Sequence, residues 1–215
     1  MDKLRALLAG ISVDTHSSIL IEAEGRAVRI DPFSLPDAPR KADIIFVTHD
    51  HFDHFSPEDI EKVRTERTVF VMPPSTARLA AKRGWNNRVL AVAPGERGEV
   101  EGLAFEAVPA YNPGKRFHPK QNGWLGYVLT VDGLRVYIAG DTDATEDAAA
   151  VRCDVALLPI GGTYTMDAAQ AAALANRMKP RAVVPIHYGT VAGSPEDFDR
   201  FAAAVNRDIL VCRKL

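Results

Sequence analysis

The chain has 215 residues, enough for one sizeable domain or two small ones, and its 47% hydrophobic and 25% charged residues are the mix of an ordinary globular protein. A formal charge of −2 gives no electrostatic reason to expect nucleic acid as a general partner. No apolar run approaches the roughly 20 residues needed to cross a bilayer, so no membrane span is expected.

At the start, Lys3 and Arg5 ahead of Ala6-Leu7-Leu8-Ala9-Gly10-Ile11 imitate a signal peptide. The apolar part is short, lacks a convincing cleavage site and runs straight into the first candidate strand, so that reading is rejected. Apolar runs predict strands near 18–23, 26–30 and 43–47, a helix near 57–64, a strand near 68–72 and a helix near 74–83. Strands follow near 88–92, 103–108, 124–131, 134–139 and 154–158. A helix near 166–178 is stopped by Pro180, and a strand near 182–186, a helix near 195–205 and a strand near 208–212 complete the series. Glu24-Gly25 and Asp132-Gly133 sit between paired runs as hairpin turns, glycine supplying the positive φ. Strand-only hairpins mix with strand–loop–helix units, so a simple doubly wound sheet is excluded and two sheets covered outside by helices are expected.

No Gly/Ser-rich or proline-rich linker interrupts the chain, so residues 1–215 read as one domain. Cys153 and Cys212 have no partner at CxxC spacing and are expected to be buried and reduced, with the cytoplasm as the default location. No heptad or apolar helix face stands out, which leaves a homo-oligomer open.

One internal echo has structural content. Ser56-Pro57-Glu58-Asp59 and Ser194-Pro195-Glu196-Asp197 are identical, and each reads as a capping box with serine as N-cap and proline at the first helical position. A histidine, His49 or His187, stands seven residues before each serine and closes an apolar strand. Upstream of each lies a glycine-turn hairpin whose second strand ends at an aspartate, Asp31 or Asp141. The order predicts two related halves that face each other and contribute side chains from strand ends.

Three of the six histidines fall in Thr48-His49-Asp50-His51-Phe52-Asp53-His54, between the apolar run Ile44–Val47 and a helix start. After a strand, residues two apart can aim at one point, so His49 and His51 can share an ion while Asp53 and His54 reach a second. Imidazole and carboxylate together suit zinc, and also manganese or iron, better than calcium or magnesium.

His-x-His-x-Asp-His resembles the signature of the metallo-β-lactamase superfamily, and further segments match in chain order. Gly140-Asp141-Thr142 after Val136–Ala139 resembles the segment of the family's bridging aspartate, and Ile186-His187-Tyr188-Gly189 that of its late histidine. Gly161–Met166, His16-Ser17-Ser18 and Asp31-Pro32 are similar to segments of small members grouped as Zn-dependent hydrolases. The resemblance covers nearly the whole chain and implies an α/β (α+β type) fold, a four-layer αββα sandwich of two mixed sheets. It also implies that His49 and His51 bind a first metal, that Asp53, His54 and His187 bind a second, and that Asp141 bridges them.

There is one departure. Many relatives place a third histidine for the first metal in a segment like Val108-Pro109-Ala110-Tyr111-Asn112, which here holds none. His118 is expected to supply that donor from a rearranged loop; the other reading is an exposed loop histidine and an under-ligated first site. His16 could line the pocket, donate to an intermediate or orient a ligand, and Asp31 could accept a ligand imidazole's second N–H, unless both are strand-end structural residues.

The implied activity is hydrolysis of an ester, lactone or phosphodiester in a small substrate, with Asp53 and Asp141 catalytic and one or two Zn2+ ions, or Mn2+ or Fe2+, as cofactor. The resemblance is to the lactonase and N-acyl phospholipase D branch. Two alternatives belong to other classes: a di-iron redox protein of the same fold, and a metal-binding module without turnover.

Overall fold

The computed structural model describes residues 3–215. Helix α1 (Lys3–Gly10) buries Leu4, Leu7 and Leu8, a stripe at helical spacing, so the stretch that imitates a signal peptide is an amphipathic helix. The first sheet runs in sequence order: β1 (Ile11–Thr15), β2 (Ser18–Ala23), β3 (Arg26–Ile30), β4 (Ile44–Phe46), β5 (Val69–Met72) and β6 (Val89–Ala91). Helices α2 (Pro57–Val63) and α3 (Pro74–Lys82) connect its parallel strands. The second sheet holds β7 (Arg97–Val100), β8 (Leu103–Pro109), β9 (Leu125–Val131), β10 (Leu134–Ile138), β11 (Val155–Pro159), β12 (Ala182–Ile186) and β13 (Leu210–Val211). Its connections carry α4 (Glu146–Ala149), α5 (Ala168–Met178) and α6 (Asp197–Ala204).

The two sheets pack face to face through Ile21, Ile30, Ile44 and Phe46 of the first and Phe105, Tyr127, Leu129 and Val136 of the second. The opposite face of the second sheet, with Tyr137, Ala156 and Val183, is covered by Ala171 and Leu174 of α5 and Phe201 of α6. On the first sheet Ile45, Phe70 and Met72 meet Ile60 and Val63 of α2 and Ala80 of α3. Neighbouring residues along one strand thus serve different layers, as the two-residue period of a strand requires. The result is the expected four-layer αββα sandwich of two mixed sheets. Parallel strands β11 and β12 are buried at every position, which matches their unbroken apolar sequences.

Strand pairing repeats between the halves. From β1 to β6 the successive pairs are antiparallel, antiparallel, then parallel three times, and β8 to β13 repeat that order. Both hairpin turns have two residues at positive φ, Glu24 (53°) with Gly25 (76°) and Asp132 (52°) with Gly133 (79°), the arrangement of a type I′ turn.

The Ser-Pro-Glu-Asp echo, however, does not mark equivalent places. His49 follows β4, the first strand after its hairpin, whereas His187 follows β12, the second after its own. Ser56 is the N-cap of α2 and accepts from the Asp59 N–H, as expected. Ser194 caps nothing: α6 begins at Asp197 with Glu196 as N-cap, and the Ser194 N–H donates to Asp197 Oδ2 at 2.7 Å. The full capping box belongs to α5, where Asp167 and Gln170 exchange hydrogen bonds with each other's backbone N–H.

Sequence patterning passes over α1, β1, β7 and α4. Strand β7 is polar and mostly exposed, and α4 has only four residues, so neither offers an apolar period. Both thiols are free, but Cys153 and Cys212 are half-buried rather than buried. Among the described residues no helix is long and apolar enough to cross a membrane.

Candidate metal centre

All six histidines of the chain meet at one end of the sandwich, on loops that leave strands of both sheets. The turn after β4 carries four of the donors. It closes on itself when the N–H groups of His54 and Phe55 donate to His51 O, at 3.1 and 2.8 Å. His118 comes from the long β8–β9 loop, where its carbonyl accepts from the Asn112 N–H at 2.8 Å. Asp141 follows β10 across Gly140, whose φ is +64° and where a Cβ would lie 2.6 Å from Leu125 O. Only glycine lets the chain pass there, and that close approach sets where Asp141 emerges. His187 follows β12, and its N–H donates at 2.9 Å to the carbonyl of His16, which sits in the β1–β2 turn.

The donors sort into two groups. His49, His51 and His118 each offer a nitrogen, with these atoms within 4.8 Å of one another. His16, Asp53, His54 and His187 do the same on the other side. Asp141 lies between them. Its Oδ2 is 3.4 Å from His118 Nε2 and 3.9 Å from His49 Nε2, while its Oδ1 is 3.3 Å from His54 Nε2 and 3.2 Å from His187 Nε2. One carboxylate therefore turns a different oxygen to each group. Asp53 Oδ2 is 3.2 Å from His16 Nε2, so His16, left open in sequence between lining the pocket, donating to an intermediate and orienting a ligand, stands in this group.

Beneath the centre lies a hydrogen-bonded anchor. Asp31 Oδ1 accepts from the Thr48 N–H at 2.8 Å, and its Oδ2 accepts from the Thr48 hydroxyl at 2.6 Å and from His54 Nδ1 at 2.7 Å. With its proton on Asp31, Thr48 Oγ1 is an acceptor for His49 Nδ1 at 2.9 Å. Hydrogen on Nδ1 of both imidazoles satisfies these contacts and leaves Nε2 of each directed at the centre, the atom a cation would take. Asp31 is thus an acceptor for a donor histidine, and Thr48 is a residue that motif reading missed. Sequence also gave no signal for Trp124, whose ring lies 4.7–5.0 Å from those of His49, His51 and His118 and walls the three-histidine group.

The electrostatics fit a cation. Burial lowers the proton affinity of His49, His51 and His16, and brings His118 to about 4, leaving neutral imidazoles with free lone pairs. Burial also opposes the ionised form of Asp141, but His187 and His54 beside it hold its carboxyl well below the ordinary range. Against the pull of burial, Asp141 and Asp31 lift His54 well above its usual value, so the two carboxylates demand positive charge at this spot. His54 Nε2, His187 Nε2 and Asp141 Oδ1 are buried and face one another without a hydrogen bond. An unpaired buried polar atom costs about 1–3 kcal/mol, and a cation among these three would partner them all. The donor set therefore fits a metal.

The sequence pattern of the Beta-lactamase superfamily domain matches residues 11–187. The chain belongs to the metallo-β-lactamase superfamily. A Thermococcus kodakarensis protein named UPF0173 metal-dependent hydrolase is 34% identical over 200 residues, which cover 86% of this chain and 88% of its own. A crystal structure from Parabacteroides distasonis, provisionally named a metal-dependent hydrolase, superposes with a TM-score of 0.81 at 33% identity and covers 95% of this chain and 92% of its own. Igni18, a metallo hydrolase from the archaeon Ignicoccus hospitalis, superposes at 0.73 with 25% identity, over 95% of this chain and 94% of its own. The chain is thus a member of a metal-dependent hydrolase family with a His/Asp cluster able to bind metal.

Proposed function

We propose that the protein is a dinuclear metal-dependent hydrolase, a single domain that acts on an ester, lactone or phosphodiester bond of a small substrate. In this reading His49, His51 and His118 hold one ion, and Asp53, His54 and His187, with His16 beside them, hold the other. Asp141 joins the two. The observation that carries the proposal is the division of the Asp141 carboxylate, with one oxygen turned to each donor group. Nitrogen donors with two carboxylates favour zinc, with manganese or iron as the next choices. Half-buried free thiols agree with a reducing, cytoplasmic setting.

When bound, the metal supplies Lewis acidity and a water nucleophile usable near neutral pH. The chain's own side chains then have definable tasks. Asp53 lines the open pocket with Oδ2 3.2 Å from His16 Nε2, and its carboxylate would serve there as an acceptor that orients the attacking water. Asp141, buried beneath the same pocket, steadies the nucleophile from below. The Thr48–Asp31 anchor keeps His49 and His54 from rotating their Nε2 atoms out of line.

Elemental analysis of the purified protein, paired with a panel of chromogenic esters, lactones, thioesters and phosphodiesters after addition of Zn2+, Mn2+ or Fe2+, tests the proposal. Two ions per chain with turnover of at least one class are expected. Full occupancy without turnover on any class would leave a metal-binding module, and bound iron with redox cycling would indicate the di-iron alternative.

A further inference from the structure

Among the described residues the exposed large apolar side chains are Phe52, at 67% exposure, Phe117 at 46%, Tyr164 and Val191 at 38% each, and Leu210. The first four line a single pocket of about 320 Å³. Its floor is made by His51, Asp53, His118, Asp141 and His187, so the apolar rim and the metal centre share one cavity. The four rim residues come from four loops, and each is tied to a donor. Phe52 lies between His51 and Asp53, Phe117 precedes His118, and Val191 stands four residues after His187. Tyr164 is joined to the His118 loop by a hydrogen bond from Asn112 Nδ2 to its carbonyl.

Ring contacts order the rim. Phe117 meets Tyr164 edge to face at 5.6 Å, and Phe52 meets Phe33 in the same way at 5.9 Å. Contiguous exposed apolar surface is unfavourable in water and marks a place where another apolar group settles. No lysine or arginine lines the pocket. Lys115, beside it in sequence, is held by Asp143 Oδ1 at 2.5 Å and Thr165 O at 2.7 Å, and the Arg116 guanidinium lies over the Phe117 ring at 5.9 Å. The side chains that line the rim are therefore apolar, with the carboxylates and imidazoles at the floor and the nearby Arg116 guanidinium engaged with the Phe117 ring.

Resting on the hydrolase reading above, we propose that the substrate is an uncharged ester or lactone with an apolar arm, seated on Phe52, Phe117, Tyr164 and Val191. In the reaction one water adds across the acyl C–O bond. The carbonyl carbon gains an oxygen, the alcohol oxygen leaves with a proton, and the resulting acid gives its proton to solvent as a carboxylate. The apolar arm takes no part in that exchange and sets selectivity alone. Charge on the arm of a substrate finds no partner among the rim side chains.

The test uses metal-reconstituted protein and a series of p-nitrophenyl esters from acetate to octanoate, with bis-p-nitrophenyl phosphate as the charged competitor. kcat/KM should rise by up to about fourfold per added methylene, the factor that corresponds to the roughly 0.8 kcal/mol of a buried CH2. The F52S/F117S double variant, altered only at exposed positions, should flatten that slope. Calorimetry with 2-octanone, a neutral ketone with no bond for water to cleave, supplies a readout independent of turnover. Binding should show a negative heat-capacity change and weaken at least tenfold in the double variant. Failure of the two readings is distinguishable. Ketone binding that depends on the rim, without turnover of any ester, lactone or phosphodiester, would uphold the apolar site and reject the hydrolase. Turnover that favours the phosphodiester, or that ignores chain length in both proteins, would uphold the hydrolase and overturn the apolar substrate.

Discussion

The two halves of the sandwich share an order of strand pairing yet supply the centre in different ways. The first half places His49, His51, Asp53 and His54 in one six-residue turn after β4, with His16 arriving from the β1–β2 turn. The second half sends His118, Asp141 and His187 from three separate loops, each held by its own backbone device. A turn whose residues anchor one another through Thr48 and Asp31 builds much of a site locally. Dispersed donors converge only after the second sheet has formed and packed against the first. The contrast predicts that the first half governs how well each donor is aimed, and the second half governs whether the two groups meet.

The largest effect should come from the residue that joins them. Asp141→Asn keeps the shape but removes the negative charge and replaces one of the two acceptor oxygens by an amide NH2, and kcat/KM should fall by about 10³-fold or more, with lower metal occupancy on both sides. Loss of metal on one side only would show that Asp141 belongs to a single group. Next in size is His118→Ala, which should reduce affinity for one ion by about 10²-fold while the other ion stays bound. Unchanged stoichiometry and affinity in a titration would return His118 to the role of a loop histidine.

Gly140→Ala tests the backbone device in the second half. A Cβ 2.6 Å from Leu125 O at a φ of +64° should lower unfolding free energy by about 1–3 kcal/mol, as measured by urea denaturation. The matching test in the first half is Thr48→Val, which removes the acceptor for His49 Nδ1 and one donor to Asp31. Metal affinity should fall about 10- to 100-fold, the range for residues that orient a ligand, with a smaller loss of stability. Smallest is alkylation of Cys153, whose thiol burial pushes up to about 12. The native protein should react far more slowly with iodoacetamide than an exposed cysteine does at pH 8, and modification should leave metal content unchanged.

Legibility in the sequence followed the same division. The motif after β4 could be read because four donors occupy six residues and apolar periodicity located the strand before them. The layer architecture could be read from hairpin turns at Gly25 and Gly133 and from unbroken apolar runs such as 182–186. His118 had no spacing to recommend it, since a long loop between β8 and β9 brings it to the centre and only folded coordinates show where that loop turns. Thr48 and Trp124 carried no motif at all; their contacts arise from two sheets meeting. The Ser-Pro-Glu-Asp echo misled because so short a sequence does not fix its structural role: Ser56 caps a helix and Ser194 does not. Here it precedes α2 in one half and α6, one strand further along, in the other. The role of His16 was left open because its neighbours Asp53 and His187 are 37 and 171 positions away in sequence.

The most direct test of the central claim is a crystal structure of the metal-reconstituted protein with anomalous difference maps collected at the absorption edge of the added ion. The account predicts two peaks on either side of the Asp141 carboxylate, one among His49, His51 and His118, the other among His16, Asp53, His54 and His187. Peaks elsewhere on the surface, or these side chains turned away from each other with no density between them, would contradict it.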